Sequence, residues 1–206
     1  MICVAIFQKS PKNTTKTGDY MNVYDFDKTI YDGDSTVDFY MYCLRKKPKI
    51  LKYLPGQLVA FFMYFIKAYE KTEMKERFYK FLQGIDDVDV LLEEFWAKSF
   101  KNIKSWYLES KKDDDVIISA SPEFLLKIPC EKLNVKIMAS RVSEKTGKYD
   151  GVNCHGKEKV RRFYDAFPDG EILKFYSDSY SDTPLARLAE RSYLVKGDKL
   201  YKWDKL

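Results

Sequence analysis

Short apolar runs, each followed by polar residues, recur along the chain. Four of them lie in its second half: DVIIS (115–119), VKIMAS (135–140), EILKFYSD (171–178) and SYLV (192–195). Stretches with helical spacing separate them and begin near Pro122 and Gly156. Strands that alternate with helices in this way are typical of a parallel β-sheet. A further run near the start, NVYDF (22–26), predicts one more strand of the same sheet.

The segment between the first predicted strand and the others has a different pattern. From about Ser35 to Lys111 the apolar residues recur at helical spacing, and Pro48, LPG (54–56) and QGIDD (83–87) divide this segment into several helices. One strand before a helical block and the other strands after it indicate an α/β fold, a parallel sheet with an inserted all-helical cap. We therefore predict a discontinuous core, 21–33 and 112–206, and a cap, 34–111. Residues 1–20 are an N-terminal extension that need not belong to the fold.

The longest apolar run lies inside this helical block. LVAFFMYFI (58–66) is far shorter than the roughly 20 residues that a membrane-spanning helix needs, so we predict a buried helix there. The first residues lack the basic start and small-residue cleavage site of a secretory signal. The four cysteines are scattered without a CxxC pair, which favours reduced thiols and a cytoplasmic protein.

Length and charge narrow the function classes further. A chain of 206 residues is long enough for one domain with an inserted subdomain. Its formal charge of +5 is modest, and it has no long Lys/Arg run with interleaved aromatic residues. We therefore predict a globular protein that does not bind nucleic acid.

Polar clusters follow three of the predicted strands. They are DFDKT (25–29), SAS (119–121) and SDSYSD (177–182). In open parallel sheets, ligands bind beyond the carboxyl ends of the strands. The three clusters are therefore expected to converge on one crevice.

The first cluster contains two carboxylates, Asp25 and Asp27, two positions apart. A carboxylate at a strand end is a hard oxygen ligand for Mg²⁺ and can also attack an electrophile. A second carboxylate on the same side can donate and accept protons. The alternative is that both residues only cap a turn, which is common for isolated Asp but less expected where three polar clusters meet.

Together these motifs resemble the haloacid dehalogenase superfamily, whose opening signature DxDx[T/V] is matched by Asp25-Phe26-Asp27-Lys28-Thr29. The resemblance implies a Rossmann-like core, an attacking Asp25 that forms an aspartyl phosphate, and Asp27 as the acid and base. It also implies a phosphate site that includes Thr29, Ser119 and Ala120. For Ser119 alone a helix-entry role is the alternative, although Ser121 is better placed to cap the helix near Pro122.

The same resemblance implies a phosphate-binding lysine and a Mg²⁺ site. NCHGKEKVRRF offers Lys157 and Lys159. The GxxKV spacing resembles the phosphoserine-phosphatase-like branch and favours Lys159, whereas phosphoserine phosphatases themselves match Lys157 better. In FYSDSYSDTPLA, Asp178 is expected to bind Mg²⁺ and Asp182 to support the metal's water or the lysine, so Asp25, Asp27, Asp178 and Asp182 form the expected metal site. His155, the single histidine, is expected to be a loop residue beside the lysine motif.

The expected function is a cytoplasmic, Mg²⁺-dependent phosphatase that hydrolyses a small phosphomonoester. Two alternatives stay open: a non-catalytic phosphate-binding or interaction protein on the same scaffold, and a phosphatase for a lipid phosphate. The second draws on residues 41–80, which carry 10 Lys/Arg, 3 Asp/Glu and nine aromatic residues, and so allow peripheral contact with a membrane. The sequence leaves the substrate and the oligomeric state undecided.

Overall fold

The computed structural model describes residues 20–204, and nearly all of the predicted N-terminal extension lies outside that range. The described strands are β1 (Tyr20–Tyr24), β2 (Val116–Pro122), β3 (Lys136–Ser140), β4 (Glu171–Ser177), β5 (Ala189–Lys196) and β6 (Lys199–Lys202). The described α-helices are α1 (Ser35–Lys46), α2 (Leu54–Phe65), α3 (Lys71–Tyr79), α4 (Val88–Ser99), α5 (Ser105–Ser110), α6 (Glu123–Leu133), α7 (Lys157–Ala166) and α8 (Thr183–Ala186). Shorter 3₁₀ turns cover Pro48–Tyr53, Lys80–Gly84, Phe100–Asn102 and Tyr180–Asp182.

The strands form one sheet in the order β3-β2-β1-β4-β5-β6. The pairs among β1 to β5 are parallel, and β6 pairs antiparallel with β5. The predicted fold class is thus confirmed. Strand β6 was not predicted, because its four residues are all exposed and form no apolar run.

Alternate residues of the central strands bury their side chains on opposite faces of the sheet, as the two-residue period of a strand requires. Val116 and Ile118 pack in a cluster with Phe163 of α7, whereas Ile117 packs in a second cluster with Leu125 of α6. Helices therefore cover both faces, which explains why the strands are nearly continuous apolar runs.

Helices α1 to α5 all lie between β1 and β2 in the chain. Part of this segment packs on a helix of the core, because the indole nitrogen of Trp96 in α4 donates a hydrogen bond to the carbonyl of Leu125 in α6 at 2.7 Å. We propose that the cap is residues 34–111, with α1 to α3 over the carboxyl edge of the sheet and α4 as its attachment to the core.

The prediction of a buried helix at 58–66 is wrong in one respect. The run is helical, but within α2 only Gln57 and Ala60 are buried, while Phe62 and Phe65 are among its exposed side chains. The helix packs through a narrow stripe, and an apolar run by itself does not show which of its faces is covered. Among residues 20–204, no helix is both long and apolar enough to cross a membrane.

Candidate active site

A tight turn directly after β1 places two carboxylates at the carboxyl edge of the sheet. The amide of Asp25 still bonds to the carbonyl of Tyr176 at 2.8 Å, as a continuation of the strand pairing. The chain then reverses at Lys28, whose φ of 58° is left-handed and whose amide bonds to the carbonyl of Gly33 at 2.8 Å. The turn leaves Asp25 and Asp27 facing the same pocket.

A buried lysine joins the first polar cluster to the last. The Lys159 ammonium donates to Asp25 Oδ1 and to Asp182 Oδ2, each at 2.7 Å, and its side chain is 2% exposed. Ser177, the last residue of β4, donates its hydroxyl to the same Asp182 oxygen at 2.8 Å. One cation is thus held between two carboxylates that are 157 positions apart in the chain, from 25 to 182.

The two candidate lysines have different surroundings. Lys159 is buried at the sheet edge, whereas Lys157, two positions earlier on α7, is exposed. Residues two apart on a helix diverge by about 200°, so only one of them can face the sheet. Gly156 immediately precedes α7 and has a φ of 58° and a ψ of −123°. This conformation suits glycine and strains other residues, so glycine allows the chain to enter the helix in this direction.

Burial and charge act against each other in this network. Burial raises the pKa of Asp25, the charges of Asp182 and Asp178 raise it further, and Lys159 only partly offsets them. Burial alone would lower the pKa of Lys159, but the two carboxylates outweigh it and hold that pKa above its ordinary value. Lys159 therefore stays protonated, and it is the cation that allows Asp25 to be an anion in a buried place.

Asp27 is held by hydrogen bonds to both of its oxygens. The amide of Ser35, at the start of α1, donates to Oδ1 at 2.7 Å, and the hydroxyl of Ser121 donates to Oδ2. The expectation that Ser121 caps the following helix is therefore wrong, since α6 has no side-chain cap. Burial and the nearby Asp34 raise the pKa of Asp27 to about 6 against these hydrogen bonds, which suits a group that exchanges protons near neutral pH.

The remaining phosphate-site predictions have different outcomes. Ser119 and Ala120 line the pocket, and Ser119 is buried with its oxygen accepting from the Ser121 amide at 3.1 Å. The Ala120 carbonyl accepts from Lys75 of α3 at 2.8 Å. Thr29 lies beside the pocket rather than in its lining, and its hydroxyl oxygen accepts from the amide of Asp178 at 2.9 Å. Thr29 thus positions the loop that carries Asp178.

The predicted magnesium ligands do not form a complete metal site of protein side chains alone. Among residues 20–204, no three His, Cys, Asp or Glu side chains are arranged to hold a metal ion. Asp27 accepts two hydrogen bonds and Asp182 is bound to Lys159, whereas no hydrogen bond from another described residue reaches Asp25 Oδ2 or the Asp178 carboxylate. Mg²⁺ is usually held by one or two carboxylates together with substrate phosphate and water. The all-oxygen pair Asp25 and Asp178 therefore fits Mg²⁺.

The pocket over these residues has a volume of about 330 Å³ and is closed on one side by the inserted helices. Its lining also includes residues that we did not predict as site residues, among them Phe61, Lys71, Lys75, Phe78 and His155. Lys75 also donates to Asn153 Oδ1 at 3.2 Å, so it ties α3 to the core. Burial, with the charge of Lys71, lowers the pKa of Lys75 to about 8. The two lysines make the roof of a carboxylate-rich pocket positive.

Comparison with solved structures supports the fold. A protein of unknown function from Bordetella pertussis Tohama I is 18% identical, with a TM-score of 0.69 over 85% of this chain and 89% of that one. The HAD family hydrolase t0658 from Salmonella enterica serovar Typhi is 11% identical, with a TM-score of 0.56 over 84% of this chain and 61% of that one. A phosphoserine phosphohydrolase-like protein from Francisella tularensis matches more loosely, with 18% identity and a TM-score of 0.49 over 85% of each chain. At these identities the first two likenesses concern the fold alone.

Family assignment rests on the sequence itself. No curated protein gives a significant match to the chain. Residues 23–187 match the family described as haloacid dehalogenase-like hydrolase, and that range contains both Asp25 and Asp182. The predicted superfamily is confirmed: the chain belongs to the haloacid dehalogenase-like hydrolases.

Proposed function

We propose that the protein is a Mg²⁺-dependent phosphatase that hydrolyses a phosphomonoester through an aspartyl-phosphate intermediate. The observation that carries this proposal is the placement of Asp25 and Asp27 in one pocket, with Lys159 in contact with Asp25 at 2.7 Å. A nucleophile, a proton carrier and a fixed cation are the groups that transfer of a phosphoryl group to a carboxylate requires.

In the first step, a carboxylate oxygen of Asp25 attacks phosphorus while the bond from phosphorus to the leaving oxygen breaks. Asp27, in its acid form, gives its proton to that leaving oxygen. The Lys159 ammonium and the Ser119 hydroxyl are placed to stabilise the charge on the phosphoryl oxygens. The products of this step are a free alcohol, an aspartyl phosphate on Asp25 and an ionised Asp27.

In the second step, water attacks the phosphorus of the aspartyl phosphate. Ionised Asp27 takes a proton from that water, and Asp25 leaves as a carboxylate. Phosphate is released, and both aspartates return to their starting states. The hydrogen bonds from Ser35 and Ser121 keep Asp27 in one orientation through both steps.

Mg²⁺ would be held by Asp25 and Asp178, where it would neutralise the repulsion between these carboxylates and a dianionic phosphate. Positively charged side chains of the protein would neutralise part of the same repulsion. Lys159 already compensates Asp25, and the ammonium groups of Lys71 and Lys75 face the pocket from above.

The test is turnover of an aryl phosphate by the full chain, with Mg²⁺ and with a chelator. We expect phosphate release only with Mg²⁺, none from Asp25→Asn, and normal release from the control Asp150→Asn, which changes an exposed aspartate outside the pocket. If a broad panel of phosphomonoesters bound without turnover, a phosphate-binding protein on this fold would be the better description.

A further inference from the structure

Helix α2 and the turn before it expose more large apolar side chains than any other segment that the structure describes. Leu58 and Phe62 are each 61% exposed, and Phe65 is 82% exposed. The three exposed phenylalanines among residues 20–204 are Phe61, Phe62 and Phe65, all on this helix. Exposed apolar patches of this kind on soluble proteins mark interaction sites.

Five of the exposed side chains of α2 form one stripe. At 100° per residue, Leu54, Leu58, Phe61, Phe62 and Phe65 fall within an arc of about 100° on the helix. The buried contacts of α2 are made instead by Gln57 and Ala60 on another side. We call the five-residue arc the α2 stripe; within the described chain it packs against little else, apart from Phe61, whose ring lies 6.0 Å from that of Phe78.

The surroundings of the α2 stripe are positively charged. Residues 41–69 contain six Lys/Arg and no Asp/Glu. Lys46 and Lys49 form salt bridges with acidic residues of the next segments, whereas Arg45, Lys47, Lys52 and Lys67 form none within the described residues. An apolar stripe bordered by unpaired cations is complementary to an anionic lipid surface. Two copies of this face, by contrast, would bring like charges together.

The pocket opens beside the α2 stripe. Phe61 belongs to the stripe and also lines the pocket. Val37 and Phe78 line the pocket beside it. A cavity of about 330 Å³ is near the small end of ligand pockets, which run from about 300 to 1,000 Å³. It has room for a phosphorylated headgroup, and an apolar tail on that group would leave the pocket along Phe61.

We propose that the α2 stripe docks on an anionic bilayer and brings the pocket to the phosphomonoester headgroup of a membrane lipid. The substrate part of this inference rests on the proposed phosphatase function, whereas the docking part does not. Phe62 and Phe65 would enter the boundary between headgroups and acyl chains, and the flanking lysines would contact lipid phosphates. The α2 stripe and the cations beside it would then bring the pocket to its substrate, in addition to packing.

Docking is tested by co-sedimentation of the full chain with vesicles of phosphatidylcholine, with and without phosphatidylglycerol. We expect binding to the anionic vesicles that weakens with added salt and falls at least about tenfold in Phe62→Ser/Phe65→Ser, given the apolar area removed. Lys52→Glu/Lys67→Glu should also lose about tenfold. The matched controls, Leu200→Ser/Tyr201→Ser and Lys199→Glu/Lys202→Glu, change exposed residues of β6 and should bind as the parent does.

Three results would overturn the docking proposal. They are no binding of the parent to anionic vesicles, equal binding by the Phe62/Phe65 variant, and a parent dimer that the same variant converts to a monomer. The last result would assign the α2 stripe to a second copy. Circular dichroism and turnover of a soluble aryl phosphate show that each variant is folded, since neither Phe62 nor Phe65 lines the pocket.

The substrate class is tested with phosphatidic acid in vesicles against glycerol phosphate in solution. We expect the Phe62→Ser/Phe65→Ser variant to raise KM for the vesicle substrate at least about tenfold and to leave aryl phosphate turnover unchanged. If the parent hydrolysed aryl phosphate but not the vesicle substrate, the lipid assignment would be wrong and the phosphatase would stand. If Asp25→Asn bound vesicles while the parent hydrolysed nothing, docking would stand and the phosphatase would be wrong.

Discussion

Replacing Lys159 by Met tests the charge network directly, because it keeps side-chain volume and removes the one cation between Asp25 and Asp182. Both carboxylates are buried and 2.7 Å from the ammonium. Breaking a buried ion pair by removing one partner costs about 3–5 kcal/mol, since the remaining charge has no compensation. We therefore expect a loss of stability of that order in urea unfolding at pH 8. We also expect kcat to fall about 10²–10³-fold, as for other lost charge-stabilising donors.

The pH dependence of the stability loss tests whether uncompensated carboxylate charge causes it. Without Lys159, the folded-state pKa of Asp25 rises further above its unfolded value, so the folded form binds protons more strongly. The deficit should therefore be largest at pH 8 and shrink as the pH falls toward 5, where the Asp25 carboxyl group is protonated. Lys157→Met is the control: it is exposed and should change stability and kcat little. A deficit equal at both pH values, or equal losses from both variants, would refute the reasoning.

Three other changes have defined outcomes. Asp25→Asn should abolish turnover and leave the urea midpoint unchanged or higher, since it removes a carboxylate that burial disfavours; residual activity near the parent's would exclude Asp25 as nucleophile. Ser119→Ala should lower kcat for an aryl phosphate about tenfold or more, as for lost oxyanion donors, and should leave vesicle binding unchanged. Lys75 loses its charge as the pH rises through about 8, so KM should rise there, and Lys75→Met should raise KM below pH 8 and flatten the profile; an unchanged profile would contradict a role for Lys75 in anion binding.

Strands β1 to β5 were predictable because each is an apolar run with a polar end. The side chains of Val116 to Ile118 are fully buried on both faces of the sheet, and burial there requires apolar residues. The same logic placed Asp25, Asp27, Ser119 and Asp182 at one edge. Their distances and hydrogen bonds could not be predicted, because they depend on how β1, β2 and β4 are registered in space.

The lysine pair shows what periodicity can and cannot resolve. Lys159 and Phe163 are four apart on α7 and both buried, so the apolar stripe of that helix contains the signal that favours Lys159 over Lys157. No comparable signal points to Lys71, Lys75 or Phe61, which reach the pocket from the inserted helices through tertiary packing. The exposure of α2 could not be predicted either, since an apolar helix has the same sequence pattern whether protein or lipid covers it.

The most direct measurement is mass spectrometry of Asp27→Asn after acid quench from an aryl phosphate and Mg²⁺. An aryl leaving group needs little help from a proton donor, so the first step should proceed, while the second lacks the base that activates water. The proposed mechanism predicts that one phosphoryl group accumulates on the peptide that contains Asp25, and that the double change Asp25→Asn/Asp27→Asn abolishes it. Steady turnover with no phosphorylated peptide in any variant, or a phosphoryl group on another residue, would contradict the proposed aspartyl-phosphate intermediate.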